Sequence, residues 1–583
     1  MSDNLDESFF ESPDDAPQPT GGHEAVNDRA PDADDPYIAA QRRSSRIRAL
    51  IGLVLVIAVA GAALFQMGRK RAAVAALTLQ TETLSATGAY GDLRDASQLA
   101  SAAASKDELA PATYFVQGMK AELALWSLYV GAQSLSAKAQ QMMEAAQVRG
   151  PEEPSTHFAE ALWEAVRGDP ALALALLDGG TVGTTTPWHS VARAEALLRS
   201  GDLAGARGAL DGCDSGLCKA WSGRIAMDIG DWSAAKATGD ALVGMRAGHE
   251  LGRTAQVLSS ARALDPDARI ERLQGYMEET DLPPLLLARV VVDLSRALRR
   301  AEGPKRADEL LERALSNTPD ASLLAREVAR SKRFQGYFGA AWTGADKALR
   351  SKPGDPGLLT EMSASLFFND AAELLEGRLE PAQKRGTAGD GVRRVEAVIA
   401  LIKGLNDQAI EGLQATSHLG EPGDTQLFLA EAYLRAKRWD DAATAARKAQ
   451  EPLKGTFGEG SRELAIARMY EGVAVGLGGD DEAAGVILEG AYTKDVRTVW
   501  GAWLYGRYHQ GAGRTRDAKD AFLLACHNGQ DFAQACLALA DIYDTMEMDG
   551  AMKRTQSEAR KSYVRTSPKG WNVQRVRTAL GKE

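Results

Sequence analysis

The seven histidines and four cysteines of this chain are the residues best suited to act as nucleophiles, general bases or metal ligands. The histidines lie at positions 23, 157, 189, 249, 418, 509 and 527, and no two have the HxH or HxxxH spacing of metal sites. His527 directly follows Cys526, but adjacent residues on a helix do not face each other. The sequence also contains no GxxxxGKS/T loop for phosphates. We therefore expect no enzyme activity, metal or cofactor.

The cysteines form two local pairs, Cys213 with Cys218 and Cys526 with Cys536. Four and nine residues separate the members of the two pairs, and neither spacing matches the common zinc sites. Two interpretations fit these residues. In the first the pairs are disulfides, and this part of the chain lies in an oxidising compartment. In the second they are free thiols that fill small sites of the core in a reducing compartment.

The composition indicates a chain built from helices. With 583 residues the chain is too long for one compact core, so several domains or a repeat array are expected. Aromatic residues make up only 6% of the sequence, and small apolar residues are abundant, which suits closely packed helices better than strands. No stretch shows sustained alternation of apolar and polar residues. The expected fold class is all-α.

Residues 1–41 are predicted to form a disordered acidic tail. They contain 11 acidic residues and only one basic residue, Arg29, and few apolar residues that could be buried. The other residues carry 68 acidic and 67 basic side chains, so they are almost neutral. This balance provides no basic field for nucleic acid.

Residues 42–71 are predicted to form a transmembrane signal-anchor with basic flanks. The span itself covers about residues 49–67, is uncharged, and as a helix reaches about 28 Å, close to the thickness of a bilayer core. The polar stretch before it is too long for a cleaved signal peptide. Four arginines precede the span and three basic residues follow it, which slightly favours a cytoplasmic N-terminus.

Residues 72–583 carry an internal repeat. Gly-Asp pairs at 168–169, 201–202, 230–231 and 479–480 separate stretches rich in Ala and Leu, as expected where one helix ends and the next begins. A period of 34 residues relates Gly472, Gly506 and Ala540; Ala484 and Ala518; Leu488 and Phe522; and Ala491, Ala525 and Ala559. The same period independently relates Ala307 to Ala341, Leu311 to Ala345, Ala314 to Ala348 and Pro319 to Pro353. Repeats of this length indicate stacked helical hairpins.

This pattern resembles the tetratricopeptide repeat (TPR) family. The best match is residues 424–453, through Leu429, Ala430, Tyr433, Trp439, Ala442, Ala446 and Ala449. Residues 326–353 and 190–213 match at fewer positions, and residues 100–160, 245–300 and 380–420 depart from the pattern. The resemblance implies a TPR-like α-solenoid over residues 72–583, preceded by the single transmembrane helix and the acidic tail.

The resemblance also bears on the cysteines. In the repeat register each first cysteine ends the second helix of one hairpin, and its partner begins the next hairpin. Two antiparallel helices joined by a tight turn can bring such side chains within disulfide reach. Residues 521–543 resemble the SEL-like subfamily with paired cysteines, although nine intervening residues exceed the spacing expected there. The register thus favours disulfides, and free thiols stay the alternative.

In TPR proteins the first helix of each hairpin lines a concave groove that holds a partner protein. The resemblance implies candidate groove residues in the hairpins that begin near Val499 and Gly423: Trp500, Trp503, Arg507 and Gln510, and Leu427, Glu431, Leu434 and Arg435. Trp and Arg are frequent at interface hot spots. In the alternative interpretation the tryptophans pack between successive hairpins.

The function expected from these features is a membrane-anchored TPR scaffold of a bacterial cell-envelope assembly, such as secretion, pilus, motility or cell-wall machinery. It would lie in the inner membrane, with a cytoplasmic N-terminus and a periplasmic solenoid. Its partners would be other proteins of that assembly, and no nucleic acid or small-molecule substrate is expected. The alternatives are an adaptor that faces the cytoplasm, and a solenoid that senses a ligand and signals to the acidic tail.

Overall fold

A computed structural model of the chain describes residues 36–104, 111–179, 186–351, 355–369, 371–384, 389–417, 419, 421–492 and 498–566. These residues form 28 α-helices and one π-helical turn, Trp126–Val130, which continues α3. Their only β-type pairing is an isolated bridge between Tyr337 and Gln530. The all-α prediction is confirmed. Most of the predicted acidic tail, residues 1–35, lies outside the described residues.

The helices fall into two compact units, Met1–Ala72 and Ala73–Glu583. The first helices are α1 (Pro36–Ser85), α2 (Tyr90–Ala104), α3 (Ala112–Leu125), α4 (Gln133–Arg149), α5 (Pro154–Val166), α6 (Pro170–Asp178), α7 (Pro187–Arg199), α8 (Leu203–Gly208), α9 (Gly216–Ile229), α10 (Trp232–Met245), α11 (Glu250–Ala261), α12 (Pro266–Glu279), α13 (Pro284–Ala301) and α14 (Pro304–Asn317). We refer to α2–α14 as the N-terminal repeats.

The C-terminal repeats are the helices that follow. They are α15 (Ser322–Gln335), α16 (Phe338–Ser351), α17 (Pro356–Phe367), α18 (Ala372–Lys384), α19 (Asp390–Ile402), α20 (Asn406–Ala415), α21 (Pro422–Arg435), α22 (Trp439–Phe457), α23 (Arg462–Leu477), α24 (Asp481–Ala491), α25 (Val499–Gly511), α26 (Thr515–Asn528), α27 (Ala533–Thr545) and α28 (Asp549–Thr566).

The first unit contains the apolar part of α1. Its large side chains from Leu50 to Phe65 are each more than half exposed, and an 18-residue window with mean hydropathy 2.5 has no buried residue. By its length and composition this helix can cross a membrane. Helix α1 begins at Pro36, so residues 36–41, which the sequence assigned to the tail, are helical.

Within the second unit the Gly-Asp pairs begin helices as expected. Asp169, Asp202, Asp231 and Asp480 are the N-caps of α6, α8, α10 and α24, and each carboxylate accepts a backbone N–H at 2.8–3.1 Å. These bonds satisfy donors that the first turn of a helix leaves free. Three of the preceding glycines have φ between 76° and 108°, a region that favours glycine. The local turn chemistry therefore ends one helix and starts the next.

The 34-residue period has a packing cause. A Cβ on Gly472 would lie 2.7 Å from Leu488, and a Cβ on Gly506 would lie 2.6 Å from the Phe522 ring. Both glycines belong to the first helix of a hairpin, and both large side chains belong to the second. Equivalent positions thus make the same close crossing in successive hairpins, α23–α24 and α25–α26. The described helices of the second unit form a TPR-like solenoid, as predicted.

Two hydrophobic cores run through this solenoid. One extends from Leu93 to Ala307 in the N-terminal repeats, and the other extends from Ala325 to Ala559 in the C-terminal repeats. A smaller cluster that includes Val291, Leu311 and Leu324 lies between them on α13–α15. Each hairpin buries its apolar face against its neighbours, as repeat architectures require.

Candidate functional site

The interior of the C-terminal repeats is filled by aromatic side chains from distant hairpins. Phe368, at the end of α17, lies 4.2 Å from Phe338, 4.6 Å from Trp500 and 5.5 Å from Phe532, measured between ring centroids. The N–H of Gln530 donates to the carbonyl of Gly336 at 3.0 Å. Residues of α15–α17 and of the segment α25–α27 therefore contact each other, although more than 130 positions separate them in the sequence.

Most of the predicted groove residues are buried. Trp500 and Trp503 are 1% and 4% exposed, and Trp500 Nε1 donates to Tyr470 Oη at 3.2 Å. Leu427 and Leu434 are buried too, whereas Gln510 is exposed. The tryptophans have the packing position of the alternative interpretation. A role of these residues in partner binding stays a prediction.

The three remaining groove residues form a polar bridge. The buried carboxylate of Glu431 accepts from Arg435 Nε and Arg507 Nη1, both at 2.7 Å, so it connects α21 to α25. Burial alone would raise the pKa of the Glu431 carboxyl, but the guanidiniums of Arg507 and Arg435 more than offset it and lower this pKa. Arg435 Nη2 also donates to Gln534 of α27 at 3.2 Å.

A larger network of buried ion pairs lies deeper in the same interior. Asp424 of α21 accepts from Arg330 Nε at 2.8 Å and Nη2 at 2.7 Å, and from Arg333 Nη2 at 2.8 Å. Arg333 also donates to both oxygens of Glu361 at 3.1 and 3.3 Å, and Arg330 Nη1 donates to Glu463 at 3.3 Å. Ion pairs of Arg330 and Arg333 thus connect α15 to three other helices, α17, α21 and α23.

Electrostatics explains why these charges can be buried. Burial disfavours the charged forms, but the guanidiniums of Arg330 and Arg333 outweigh that effect and lower the pKa of the Asp424 carboxyl. The same pairing raises the pKa of Arg330. Arg394 lies beside the network, and burial lowers its pKa to about 10, an effect that the charges of Asp424 and Glu361 only partly offset. Its Nη1 has no hydrogen-bond partner among the described residues.

One buried cation of the N-terminal repeats, Lys120, lies beside aromatic rings instead of carboxylates. Lys120 of α3 is 8% exposed, and its Nζ lies 5.0 Å from the Phe158 ring centroid and 6.0 Å from that of Trp188. Among the described residues no carboxylate forms an ion pair with it. Burial lowers the pKa of Lys120 to about 8, and the more distant charge of Glu82 only partly offsets this effect.

Each cysteine pair spans the connection between two successive helices. Cys526, in the last turn of α26, and Cys536 of α27 lie within bonding distance with Cα atoms 4.7 Å apart. Cys213 lies in the turn after α8, which ends at Gly208, rather than at the helix end, and its Cα is 6.0 Å from that of Cys218 in α9. Both separations suit a disulfide. Within the described ranges, no three His, Cys, Asp or Glu side chains gather as metal ligands. Membership of residues 521–543 in the SEL-like subfamily stays a prediction.

The sequence analysis missed the ion network. Its signal is a charged residue on a helix face that is otherwise apolar, such as Arg330 and Arg333 beside Ala329 and Phe334. A repeat register alone places such residues on the inner helix, but it does not say which carboxylates they meet.

Comparisons with known proteins identify no family. No family model and no curated protein matches the chain. Among solved structures, the APC/C hetero-tetramer Cut9-Hcn1 is similar over 81% of this chain and 91% of that chain, with 15% identity and a TM-score of 0.37. A monomeric mutant of IFIT1 with Gppp-AAAA is similar over 76% of this chain and 99% of that chain, with 14% identity and a TM-score of 0.29. At these values neither likeness supports a statement about function.

Proposed function

We propose that this chain is a membrane-anchored scaffold whose helical repeats bind other proteins of a bacterial cell-envelope assembly. The observation that carries the proposal is the combination of two features in one chain. An apolar helix with no buried residue in its 18-residue window precedes a long stack of helical hairpins. Exposed apolar surface of this extent needs a lipid cover, and stacked hairpins offer extended surfaces for proteins.

The proposed orientation has the N-terminus in the cytoplasm and the solenoid in the periplasm. Two observations support it: four basic residues precede the span against three after it, and both cysteine pairs lie within disulfide distance. The opposite orientation, a membrane-tethered adaptor that faces the cytoplasm, is favoured by the basic cluster Arg69–Lys70–Arg71 that follows the span.

Thiol labelling of intact cells distinguishes these orientations. Cells are treated with a membrane-impermeant maleimide, with and without prior reduction, and the label on the chain is counted by mass spectrometry. The periplasmic orientation predicts labelling of Cys213, Cys218, Cys526 and Cys536 only after reduction. Labelling that needs permeabilised membranes and no reductant would establish the cytoplasmic adaptor instead.

We propose that partners contact the part of the predicted groove that stays accessible. Gln510 is exposed, and the side chains of Arg507 and Arg435 keep 21% and 23% of their surface. A photo-crosslinking amino acid at Gln510 is therefore expected to capture a discrete partner in cells. The matched control is the same amino acid at Val486, which is 72% exposed on the second helix of a hairpin.

The captured protein is identified by mass spectrometry. The crosslinking amino acid is then placed in that protein, to test whether it captures this chain in turn. An envelope protein that is bound at position 510 and not at 486, and that in turn captures this chain, supports the scaffold. Equal capture at both positions, or partners with no envelope location, would contradict it.

A further inference from the structure

A cavity of about 290 Å³ opens where two distant segments of the solenoid meet. One wall is the end of α13 with Arg299 and Arg300, and the other is the turn from Phe457 to Glu463 that joins α22 to α23. Helix α15 closes the cavity with Phe334. The volume suits a compact ligand rather than a folded partner.

The inner walls of this cavity combine aromatic surface with a buried positive charge. Phe334 and Phe457 are 1% and 2% exposed. The Arg299 side chain is 8% exposed; its Nη1 donates to Glu463 at 3.1 Å and its Nη2 donates to Asp308 at 2.6 Å. Its Nε is buried and has no hydrogen-bond partner in the part of the chain that the structure describes. A buried donor that lacks an acceptor is costly, so this position favours a ligand that brings an acceptor.

The rim of the cavity is positively charged. Arg300 is exposed and Arg462 is half-buried there. Two carboxylates also line the cavity, and both are paired: Glu459 with Lys454 and Arg468, and Glu463 with Arg299 and Arg330. The first turn of α23 begins at Arg462, and helix N-termini present free N–H groups and a positive dipole end.

We propose that this cavity binds a small organic anion, with a phosphate or carboxylate group between Arg299, Arg300 and Arg462 and a compact apolar group against Phe334 and Phe457. Each part of the ligand complements one part of the site. The anionic group pairs with the arginines and accepts their hydrogen bonds, and the apolar group covers the aromatic walls. Since the walls belong to α13 and α23, the bound anion ties distant hairpins together. This inference does not depend on the scaffold role.

The test uses the full chain in detergent micelles, with phenyl phosphate as the probe that carries both features. Isothermal titration calorimetry is expected to show one saturable site, and thermal unfolding is expected to shift upward with ligand concentration. Inorganic phosphate should bind at least tenfold more weakly, because it leaves the aromatic walls uncovered, and benzyl alcohol should not bind detectably.

The variant for the test is the double substitution Arg300→Gln with Arg462→Gln at the rim, where the fold is not at risk. It is expected to weaken phenyl phosphate at least tenfold, since hydrogen bonds to charged groups contribute about that much. Arg306→Gln, on the exposed face of neighbouring α14, is the matched control and should leave binding unchanged. Absence of saturable binding, or unchanged affinity in the double variant, would overturn the site. Equal affinity for inorganic and phenyl phosphate would overturn its assignment to an organic anion.

Discussion

The N-terminal and C-terminal repeats share one architecture, but one buried cation in each half, Lys120 and Arg330, has an opposite environment. In the C-terminal repeats Arg330 and Arg333 form ion pairs with Asp424, and Arg333 also pairs with Glu361, so carboxylates of other helices surround both guanidiniums. In the N-terminal repeats Lys120 lies beside the rings of Phe158 and Trp188, no carboxylate of the described residues forms an ion pair with it, and burial lowers its pKa to about 8. A buried cation in this solenoid is thus accommodated either by ion pairs with carboxylates of other helices or by a lowered pKa.

The difference predicts opposite signs for the change in stability when charge is removed at these two sites. Removal of one member of the paired network leaves other buried charges without partners, which costs more than the pair itself contributes. Removal of an unpaired buried cation relieves a desolvation cost. Charge removal from the Asp424 network should therefore destabilise the protein, and removal of the Lys120 charge should stabilise it.

The largest expected effect is that of Asp424→Asn. This change leaves the guanidiniums of Arg330 and Arg333 short of their shared carboxylate, so the free energy of unfolding should fall by about 3–5 kcal/mol. Denaturant unfolding followed by tryptophan fluorescence measures it, because Trp500 lies 5.9 Å from Arg333. Asp441→Asn removes an exposed partner of Arg438 and should cause no measurable change. Equal effects of the two variants would show that the network adds nothing.

The cysteine pairs allow a comparison of one crosslink in each half. Alanine at both Cys526 and Cys536 should lower the free energy of unfolding by about 3 kcal/mol, and alanine at both Cys213 and Cys218 should lower it by about 2 kcal/mol. The first effect is larger because the Cys526–Cys536 bond closes the longer loop and so removes more entropy from the unfolded chain. The sequence separations are 10 and 5 residues. Wild-type protein with reductant should match the variants. Wild-type stability that is insensitive to reductant would argue against both bonds.

Lys120→Met should stabilise the N-terminal repeats by about 2 kcal/mol at pH 7. The folded pKa of Lys120, about 8, lies below its ordinary value of 10.5, so the cost of burying the charge is fully present below pH 8. As pH rises from 8 towards 10.5, the unfolded chain binds more protons than the folded one, and the wild type gains stability. The difference between variant and wild type, measured by thermal unfolding, should therefore shrink across this window. A difference that does not change with pH would exclude a buried charge at Lys120.

The smallest effect concerns helix crossings in the two halves. In Gly506→Ala the new Cβ lies 2.6 Å from the rigid Phe522 ring, and we expect a net loss of about 1 kcal/mol in free energy of unfolding. In Gly118→Ala the nearest atom is the Sδ of Met142, also at 2.6 Å, and a flexible thioether can move aside. Gly485→Ala, with open space around it, should stabilise its helix slightly. Equal losses at 506 and 118 would mean that neighbour flexibility does not matter.

Local features of this chain could be predicted from the sequence because their causes are local. The Gly-Asp pairs begin helices through bonds two or three residues long, and the period of 34 residues follows from crossings such as Gly506 with Phe522. The cysteine pairs lie close in sequence, so a turn is enough to bring them together. The burial of Trp500 and Trp503 was left open, because a repeat register gives the face of a helix and not what covers it.

The sequence by itself determined that the chain is a stack of helical hairpins with one apolar helix before it, since turn chemistry, small-residue spacing and hydropathy act over a few residues. Only the tertiary structure decided that α15 meets α21 and α23, and that a cavity opens beside Arg299. Arg330 and Asp424 are 94 positions apart, and Arg299 and Glu463 are 164 apart. Their contact depends on a small rotation between successive hairpins, which accumulates over many repeats and is set by packing at every interface.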